Sequence, residues 1–362
     1  MMRILMVGPV PFLYGGISKV AGAFLKARKP GLKMDYAATS TKRFLIFKIA
    51  VFVSGAVRIL LKLMLQRPDA VHIHFSKGAS IYRKYFVLKM CRLFQVPVVV
   101  QSHTFLPEIE VKHLSVQKPD FYTKASSFGK KVISLFMDEA SGILVLSERI
   151  KLSIQPITRN ENVWVLRNPV DCQKHRPSIK ADSPLNVLFM GDFSERKGIK
   201  ILVKAASEVL DRLEDVKFIL CGKAQENIKE IVEDWGIQDH VELPGFVSGK
   251  KKQKCFAKAH VFVLPSYEEG LPVAILEAMC SGLPILTTPV GGIPDVLKEY
   301  SNALFIKPGD HRALAEKIIF LLENEDVRKK IGENNRKKVL DEFDTSVIMQ
   351  DLVNIYRKLT ES

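Results

Sequence analysis

Cysteine is scarce in this sequence, and the few cysteines are not grouped. The five in 362 residues, Cys91, Cys172, Cys221, Cys255 and Cys280, make an odd total and include no pair at metal-ligand spacing. Disulfide scaffolds and zinc sites both need paired or clustered cysteines. The sequence therefore predicts neither, and its cysteine usage suits a reducing cytosol.

Long uninterrupted apolar runs are also absent. The opening MMRILMVGPVPF has an apolar run of only about five residues before Gly-Pro, which is too short for the core of a signal peptide. Residues 44–65 could span a bilayer in length, but Lys48, Arg58 and Lys62 interrupt them, and each cation would cost a few kcal/mol at the bilayer centre. We expect either a core helix or a helix whose basic, apolar surface rests on a membrane. The sequence does not show which apolar residues are covered.

Acidic residues are scarce in the first half of the chain. Residues 1–180 hold 29 Lys and Arg against 10 Asp and Glu, a balance of +19, whereas the remainder holds 25 against 29, a balance of −4. A domain this basic attracts nucleic acid, anionic lipid, or a phosphorylated or acidic substrate. Nucleic acid is the least favoured of these partners because the basic half contains no recognisable nucleic-acid-binding module.

Short β-branched runs alternate with helical stretches from end to end. Such apolar strands, separated by helices of about ten to twenty residues, are typical of parallel sheets covered on both faces. The predicted strands are RILMVG, DAVHIHF, VPVVVQS, GILVLS and NVWVLR, followed by NVLFMG, VKFILCG, HVELPG, AHVFVLPS and LPILTT. Two such series indicate an α/β protein with two doubly wound, Rossmann-like domains.

A polar, proline-bearing stretch, HRPSIKADSP at 175–184, separates the two series and is typical of a linker. We expect an N-terminal domain over 1–175, a second domain over 185–344, and a final helix within 345–362 that packs back on the first domain. Open parallel sheets bind ligands at the carboxyl ends of their strands, so the expected site is a central cleft that both domains face.

Two motifs in the first domain follow predicted strands. In GPVPFLYGGISKV, Gly15 and Gly16 open a helix, where backbone amides could approach a phosphate; a tight turn without a ligand would look the same. The spacing is not G-x-G-x-x-G, which disfavours a nicotinamide enzyme. In VPVVVQSHTF, His103 could donate to a sugar hydroxyl or be an ordinary hydrogen-bonded loop residue. His72 and His74 share a strand face but lack the third ligand that a metal site needs.

Two charged motifs in the second domain also follow predicted strands. NVLFMGDFSERKGIKILVKA puts Lys197 at the start of a helix, where a cation opposes the helix dipole unless an anion such as pyrophosphate lies between them. Arg196 could share that role or be solvated. In EEGLPVAILE, Glu269 precedes a helix that Pro272 opens at its first position, and Glu277 lies inside it. The two carboxylates could hold one ligand's hydroxyls while the helix amides meet its phosphate; alternatively, they are solvated charges.

Taken together, these motifs resemble glycosyltransferase family 4, whose members are retaining enzymes with the two-domain GT-B fold. The resemblance covers nearly the whole chain: GGISKV, SHTF, RNPVD, SERKG, the E-x7-E segment in PSYEEGLPVAILEAMCSGLPI, and TTPVGGIPDVL occur in the family's order and spacing. It implies a hexosyltransferase-type enzyme that moves a sugar from a UDP- or GDP-sugar to a saccharide or lipid-linked saccharide, in bacterial surface polysaccharide or glycan biosynthesis.

The resemblance also implies roles for individual residues. Glu269 and His103 would contact the donor sugar, Glu277 would contact the ribose, and Lys197 would neutralise the leaving diphosphate. Further donor contacts would come from the backbone and side chains of Gly15, Gly16, Arg196, Gly270, Leu271, Val273 and Ala274.

Two features bear on how the diphosphate would be neutralised. The family usually has Arg directly after the glycine of the strand-to-Lys197 loop, and this chain has Asp192 there; Arg196 could compensate, or activity could be low. No Asp-x-Asp pair occurs, which fits an enzyme without a metal or other cofactor, in which lysine and helix dipoles stabilise the leaving group.

We therefore expect a cytoplasmic glycosyltransferase, peripheral at the inner face of the plasma membrane. Its basic first domain would contact an anionic membrane surface through residues 41–67 and through Arg83 and Lys84. Two alternatives remain open at this point. One is a non-catalytic sugar-nucleotide-binding subunit, and the other is a GT-B nucleotide-sugar epimerase or hydrolase.

Overall fold

A computed structural model describes residues 1–11, 16–41, 44–76, 78–103, 120–178, 183–223 and 227–361. The chain divides into two compact units. The first unit consists of residues 1–169 together with residues 345–362, and the second consists of residues 170–344. Each unit is built around one six-stranded parallel sheet.

The first unit alternates strands with helices. Its strands are β1 (Met2–Pro9), β2 (Leu32–Ser40), β3 (Ala70–Phe75), β4 (Val98–Ser102), β5 (Gly142–Val145) and β6 (Val163–Val165). Its helices before residue 169 are α1 (Gly16–Lys26), α2 (Leu45–Leu65), α3 (Ala79–Leu93), α4 (Asp120–Thr123), α5 (Ser127–Asp138) and α6 (Glu148–Ile154). The strand order is β2-β1-β3-β4-β5-β6. Strands β3, β4 and β5 are buried along their whole length, as their continuous apolar runs predict.

The second unit repeats this plan. Its strands are β7 (Leu185–Met190), β8 (Val216–Cys221), β9 (Val241–Gly245), β10 (Val261–Leu264), β11 (Ile285–Thr287) and β12 (Ala303–Phe305). Its helices are α7 (Ile199–Leu210), α8 (Ile228–Asp234), α9 (Gly249–Lys258), α10 (Val273–Cys280), α11 (Ile293–Val296), α12 (His311–Glu323) and α13 (Glu325–Glu342). The strand order is β12-β11-β10-β7-β8-β9, so β7 and β10 are neighbours at the centre.

The sequence pattern predicts ten of these twelve strands and misses β2 and β12. Both missed strands are the outermost members of their sheets. Strand β2 reads LKMDYAATS and stays half exposed, while β12 has only three residues. An edge strand has one unpaired side, so it lacks the continuous apolar run by which a buried parallel strand is recognised.

The last helix, α14 (Thr345–Thr360), belongs to the first unit. The chain enters and leaves the second unit at one place, because Val170 and Asp344 form a bridge between their backbones. Helix α14 then packs against β3, where the hydroxyl oxygen of the buried Tyr356 lies 2.6 Å from Nδ1 of His72.

One pair of cysteines departs from the expectation that none is joined. Cys172 and Cys280 form a disulfide, with their Cα atoms 5.2 Å apart and a sequence separation of 108. Sequence spacing carries no information about such a pair, because folding alone brings the start of the second unit to the end of α10. The other three cysteines are free.

Candidate functional site

The centre of the second sheet is where its strand order reverses. From β7 the chain builds β8 and β9 on one side and then returns to place β10 on the other side. A crevice for ligands forms at the carboxyl ends of the two strands that flank such a reversal. The loops that leave these strands, 191–198 after β7 and 265–272 after β10, carry most of the residues that the sequence singles out in this unit.

The loop after β7 ends in a short 3₁₀ turn, Glu195–Lys197, followed by Gly198 and helix α7. Gly198 has φ 70°, and a Cβ there would overlap the carbonyl oxygen of Pro265 at the end of β10. Glycine is therefore required for the two loops to approach so closely. The amide of Tyr267 donates to the carbonyl of Arg196 at 2.9 Å and ties the loops together.

Glu269 is the centre of a charged cluster in this crevice. Lys197 forms an ion pair with its Oε1, and Ser266 Oγ donates to the same oxygen at 2.8 Å. A guanidinium nitrogen of Arg196 lies 3.7 Å from Oε2. The Glu269 residue is only 2% exposed, so its carboxylate is held by protein groups and is not a solvated loop charge.

Glu268 plays a different part from its neighbour. Its backbone carbonyl accepts a hydrogen bond from Arg196 Nη1 at 2.7 Å, which fixes the guanidinium beside Glu269. Behind the cluster, Gly292 N donates to Gly270 O at 2.7 Å. Gly291 has φ 58°, and a Cβ there would overlap the carbonyl oxygen of Glu269. The TTPVGGIPDVL segment therefore backs the E-x7-E loop.

Helix α10 begins at Val273, one residue later than the sequence predicts. Pro272 is the residue before the helix, so its missing N–H removes no donor from the helix itself. The helix start has no side-chain cap and no acidic residue in its first turn. The amides of Val273 and Ala274 are thus placed at a helix N-terminus with the geometry that favours an anion. Gly270 and Leu271 are buried in the loop that leads to it.

Glu277 lies one turn inside α10 and is 7% exposed, so it is not a surface helix position. Lys252 from α9 forms an ion pair with its Oε1. Nε2 of His175 lies 3.8 Å from the same oxygen, and the His175 ring meets the ring of Phe256 edge-on. Burial lowers the pKa of His175, opposed by the Glu277 carboxylate, which raises it.

Three residues around the two glutamates escape sequence reasoning. Ser266 could have been found, because it lies two residues after the end of the buried strand β10, in the region where such sheets bind ligands. Lys252 and His175 give no local signal, since Lys252 sits in the basic run GKKKQK and His175 in the linker-like segment. Only their burial beside Glu277 distinguishes them.

In the first unit, the glycine motif falls partly within the described residues. Gly15 lies outside them. Gly16 is the first residue of α1, is exposed, and would have nothing within 4 Å of an added Cβ. Within the part of the chain that the structure describes, no steric constraint requires glycine at this position.

His103 directly follows β4 and, among the described residues of the first unit, is one of three buried histidines. Its Nε2 lies 3.0 Å from Nδ1 of His74, and the rings of His74 and His72 stack with centroids 4.4 Å apart. The row continues to Tyr356 on α14. Burial lowers the pKa of His103 and of His72 to about 3, and that of His74 well below its ordinary value. The three imidazoles are therefore neutral at neutral pH.

The sequence groups these histidines only in part. It places His72 and His74 on one strand face, but it treats His103 separately because that residue follows another strand. Parallel pairing of β3 with β4 brings the three together. Among the described residues, no set of three or more His, Cys, Asp or Glu side chains is arranged to hold a metal ion.

The second unit matches a known family. Residues 172–338 match the family described as Glycosyl transferases group 1. Among curated relatives, the 2-deoxystreptamine N-acetyl-D-glucosaminyltransferase of Niallia circulans is 29% identical over 47% of this chain and 44% of its own length. The amylovoran biosynthesis glycosyltransferase AmsK of Erwinia amylovora is 25% identical over 55% of this chain and 51% of its own length. The match thus spans about half the length of these relatives.

Solved structures resemble the chain over nearly its full length. Sucrose-phosphate synthase from Thermosynechococcus elongatus has a TM-score of 0.79 at 17% identity, with 99% of each chain covered. HepE of Anabaena in complex with UDP has a TM-score of 0.76 at 17% identity, covering 99% of this chain and 100% of that one. These likenesses confirm the predicted GT-B fold class with two parallel-sheet α/β units.

Proposed function

Because residues 172–338 match the group 1 glycosyltransferases, we propose that the chain is a retaining enzyme of the hexosyltransferase type. It would transfer a sugar from a nucleotide-sugar to a saccharide or lipid-linked saccharide. The observation that carries this proposal is the cluster of Lys197, Arg196 and Ser266 around Glu269, in the crevice between the ends of β7 and β10.

This cluster has the groups that a diphosphate-linked sugar needs. Two cations surround one carboxylate, so the cluster keeps a positive charge that would attract a diphosphate. When Lys197 turns to the diphosphate, Glu269 Oε1 becomes available to accept hydrogen bonds from hydroxyl groups of the donor sugar. The uncapped start of α10 adds backbone amides for a phosphate. Each charge-assisted hydrogen bond of this kind contributes about 1.5–3 kcal/mol.

Glu277 is proposed to accept hydrogen bonds from the hydroxyl groups of the ribose. Its contact with Lys252 is compatible with this role, because a carboxylate offers about four lone-pair directions and the lysine uses one oxygen. Lys252 also supplies the opposite charge that a buried carboxylate needs. A carboxylate accepts hydrogen bonds, and a ribose diol offers two donors.

For the chemical step, we propose attack on the same face as the departing diphosphate, through an oxocarbenium-like transition state. Lys197 would stabilise the leaving oxygen, which would help to take the acceptor's proton. His103 would contact the donor sugar. It is neutral because burial lowers its pKa to about 3, so it would donate or accept a hydrogen bond there without adding charge.

The usual arginine is replaced by Asp192, and Arg196 is proposed to supply the missing cation. Its guanidinium is already fixed beside the site by the carbonyl of Glu268. Two cations and the α10 amides would then stabilise the diphosphate without a metal ion.

The names of the similar proteins give the proposal a substrate class to test first. HepE forms a complex with UDP, and the AmsK relative is named for amylovoran biosynthesis. We therefore propose a UDP-sugar as the first donor to test, with GDP-sugars next. The acceptor would be a saccharide, membrane-anchored through a lipid, in bacterial surface glycan assembly.

Ligand binding is tested by thermal unfolding with UDP, GDP, ADP and their sugars. A nucleotide at about 100 times its dissociation constant should add about 2.7 kcal/mol to the unfolding free energy. Glu269→Ala and Lys197→Ala should each lose most of the effect of the nucleotide-sugar. Glu268→Ala is the matched control and should keep it, since the contact that this residue makes with the cluster, among the described residues, is through its backbone carbonyl. Equal stabilisation of all three variants would contradict the proposed site.

Asp192 favours one rival function, a non-catalytic subunit that binds sugar nucleotides. The two are separated by measuring nucleotide release with donor and an acceptor panel. An enzyme releases nucleotide, and Lys197→Ala slows release by about 100-fold or more, the size expected when a leaving-group contact is lost. A binding subunit is stabilised by the nucleotide but releases none with any acceptor.

A further inference from the structure

Helix α2 exposes an apolar face to the surroundings. Residues of this face are spaced three or four apart, which places them on one stripe of the helix. The stripe consists of Ile46, Ile49, Val53, Val57, Leu60 and Met64, each between 38% and 80% exposed. At the ends of the helix, Phe44 and Leu65 are exposed as well.

The opposite side of α2 is already used by the protein. Ile59 and Leu63 are fully buried, and a Cβ on Gly55 would overlap the carbonyl oxygen of Ala38 in β2. The helix is therefore apolar on its covered side and on its outer side. A helix that only packs on a core needs a single apolar face. The outer stripe therefore indicates that α2 contacts a second apolar environment.

Aromatic side chains on neighbouring helices extend the stripe. Phe86 of α3 contacts the ring of Phe52 of α2 at 6.0 Å between centroids. Tyr82 of α3 stacks with Phe128 of α5 at 6.5 Å. Phe86, Tyr82 and Phe128 are all exposed. We call this surface, formed by the α2 stripe with Tyr82, Phe86 and Phe128, the α2 face.

The charges near the α2 face have one sign. Residues 44–66 contain Lys48, Arg58 and Lys62 and no acidic residue. Lys62 turns inward to Asp35, with its Nζ 2.9 Å from the carboxylate, whereas Lys48 and Arg58 are exposed. Two copies joined through this face would oppose cations to cations, which disfavours a symmetric dimer.

The α2 face differs from the membrane contact that the sequence predicts. Lys84 is not part of it, because this residue is buried and bonds to the hydroxyl of Thr39. In the part of the chain that the structure describes, no helix has the length and apolar character needed to cross a bilayer. An apolar stripe flanked by cations and free of acids is typical of a helix that lies in the plane of an anionic membrane interface.

We propose that the α2 face is a docking surface for an anionic lipid bilayer, with α2 lying in the interface and its stripe among the acyl chains. Helices α2 and α3 directly follow strands β2 and β3 of the first sheet, so their first turns lie at its carboxyl edge, where Gly16 and His103 also lie. Docking would therefore bring that edge close to the membrane. The assignment of lipid-linked saccharides as acceptors rests on the proposed function; the docking of α2 does not.

The test is co-flotation of the full chain with vesicles of phosphatidylglycerol and phosphatidylcholine in equal amounts, against vesicles of phosphatidylcholine alone. Binding should favour the anionic vesicles and weaken with salt, because Lys48 and Arg58 contribute an electrostatic part. Replacing Val53 and Val57 together by Glu should weaken binding by at least about tenfold, since the stripe would carry charge into the acyl region. Phe320→Glu, on an exposed apolar position of the second unit, is the control and should bind as the parent does.

A second measurement does not depend on a variant that loses vesicle binding. Leu61→Trp adds an indole at the border of the α2 face, and its fluorescence, after subtraction of the parent's, should be quenched by brominated acyl chains. No flotation of the parent, equal loss in the Phe320→Glu control, or no quenching at position 61 would each overturn the proposal. So would a dimer in sedimentation that the Val53→Glu, Val57→Glu double variant dissociates while vesicle binding stays unchanged.

Failure of docking and failure of the proposed function give different results. The double variant should keep its stabilisation by the nucleotide and its activity on a soluble acceptor. Its activity on an acceptor anchored in anionic vesicles should fall at least about tenfold, in proportion to the decrease in vesicle binding. If vesicle binding is intact but no nucleotide stabilises the chain, only the proposed function fails.

Discussion

The carboxylate of Glu269 shows how much a residue's function depends on its partners. From the sequence, Glu269 and Lys197 are candidates for two different parts of one ligand. In the structure they are paired with each other, together with Arg196 and Ser266. The buried carboxylate has charged partners before a ligand arrives, and ligand binding would replace one set of charge-assisted contacts with another.

At the same scale, Gly16 separates stability from activity. An added Cβ would meet nothing within 4 Å. Gly16→Ala should therefore leave the free energy of unfolding unchanged or raise it by up to about 1 kcal/mol, because alanine has the higher helix propensity. If a phosphate approaches this backbone, the same methyl group should raise the KM for the donor. Lys26→Ala, at the other end of α1, is the control. A KM that stays unchanged in Gly16→Ala would remove this glycine from the donor site.

Lys252 allows a second test at residue scale, because it neutralises a glutamate that is nearly buried. Lys252→Met should destabilise the second unit by about 3–5 kcal/mol, since it leaves the Glu277 carboxylate without its cation. The double variant with Glu277→Gln removes both charges and should recover much of that loss. Urea unfolding of the two single variants and the double variant measures the coupling. A double variant less stable than Lys252→Met would contradict it.

Among the structural elements, β3 and β4 create a feature that neither contains alone. Each strand is a buried apolar run that the sequence predicts well. Their parallel pairing, with α14 against β3, assembles the row from His103 through His74 and His72 to Tyr356. The strand pattern predicts the elements, whereas the neutral histidine row depends on which strands become neighbours.

The row predicts how the first unit responds to pH. The folded-state pKa values of His72 and His103 are about 3, below the unfolded value of about 6.5. Their contribution is therefore fully present above pH 6.5 and is lost as the pH falls towards 3. Each buried histidine should lower the unfolding free energy by about 1.4 kcal/mol per pH unit across that window.

This slope can be measured by urea unfolding between pH 7 and pH 5. A Trp235→Phe background leaves Trp164 of β6 as the reporter of the first unit. His72→Gln removes one titrating group and should reduce the slope by about 1.4 kcal/mol per pH unit. If parent and variant have the same slope, His72 is not neutral in the folded state.

For the molecule as a whole, the two units differ in charge and in covalent structure. The first unit carries the basic excess and the α2 face. The second carries the family match and the disulfide between Cys172 and Cys280. Each unit can therefore be followed and perturbed separately.

The disulfide predicts a redox-dependent stability that is confined to the second unit. Closing a segment of this length restricts the unfolded chain and typically contributes about 2–4 kcal/mol. Reduction should lower the unfolding free energy by that amount when Trp235 reports in a Trp164→Phe background. Cys172→Ser should make the protein insensitive to the reductant, whereas Cys91→Ser should respond as the parent does. Insensitivity of the parent would mean that the pair is not oxidised in the purified protein.

The sequence by itself determined the two series of buried strands, and with them the α/β class and the chain positions at which ligand-binding residues follow strands. These features are local, because a buried parallel strand and a helix start each leave a pattern within a few residues. Only the tertiary structure decided that Lys252 meets Glu277, that Cys172 meets Cys280, that Lys84 is buried, and that the outer stripe of α2 is uncovered. Contacts between segments far apart in the chain, and the side of a helix that they cover, depend on packing, which no local pattern records.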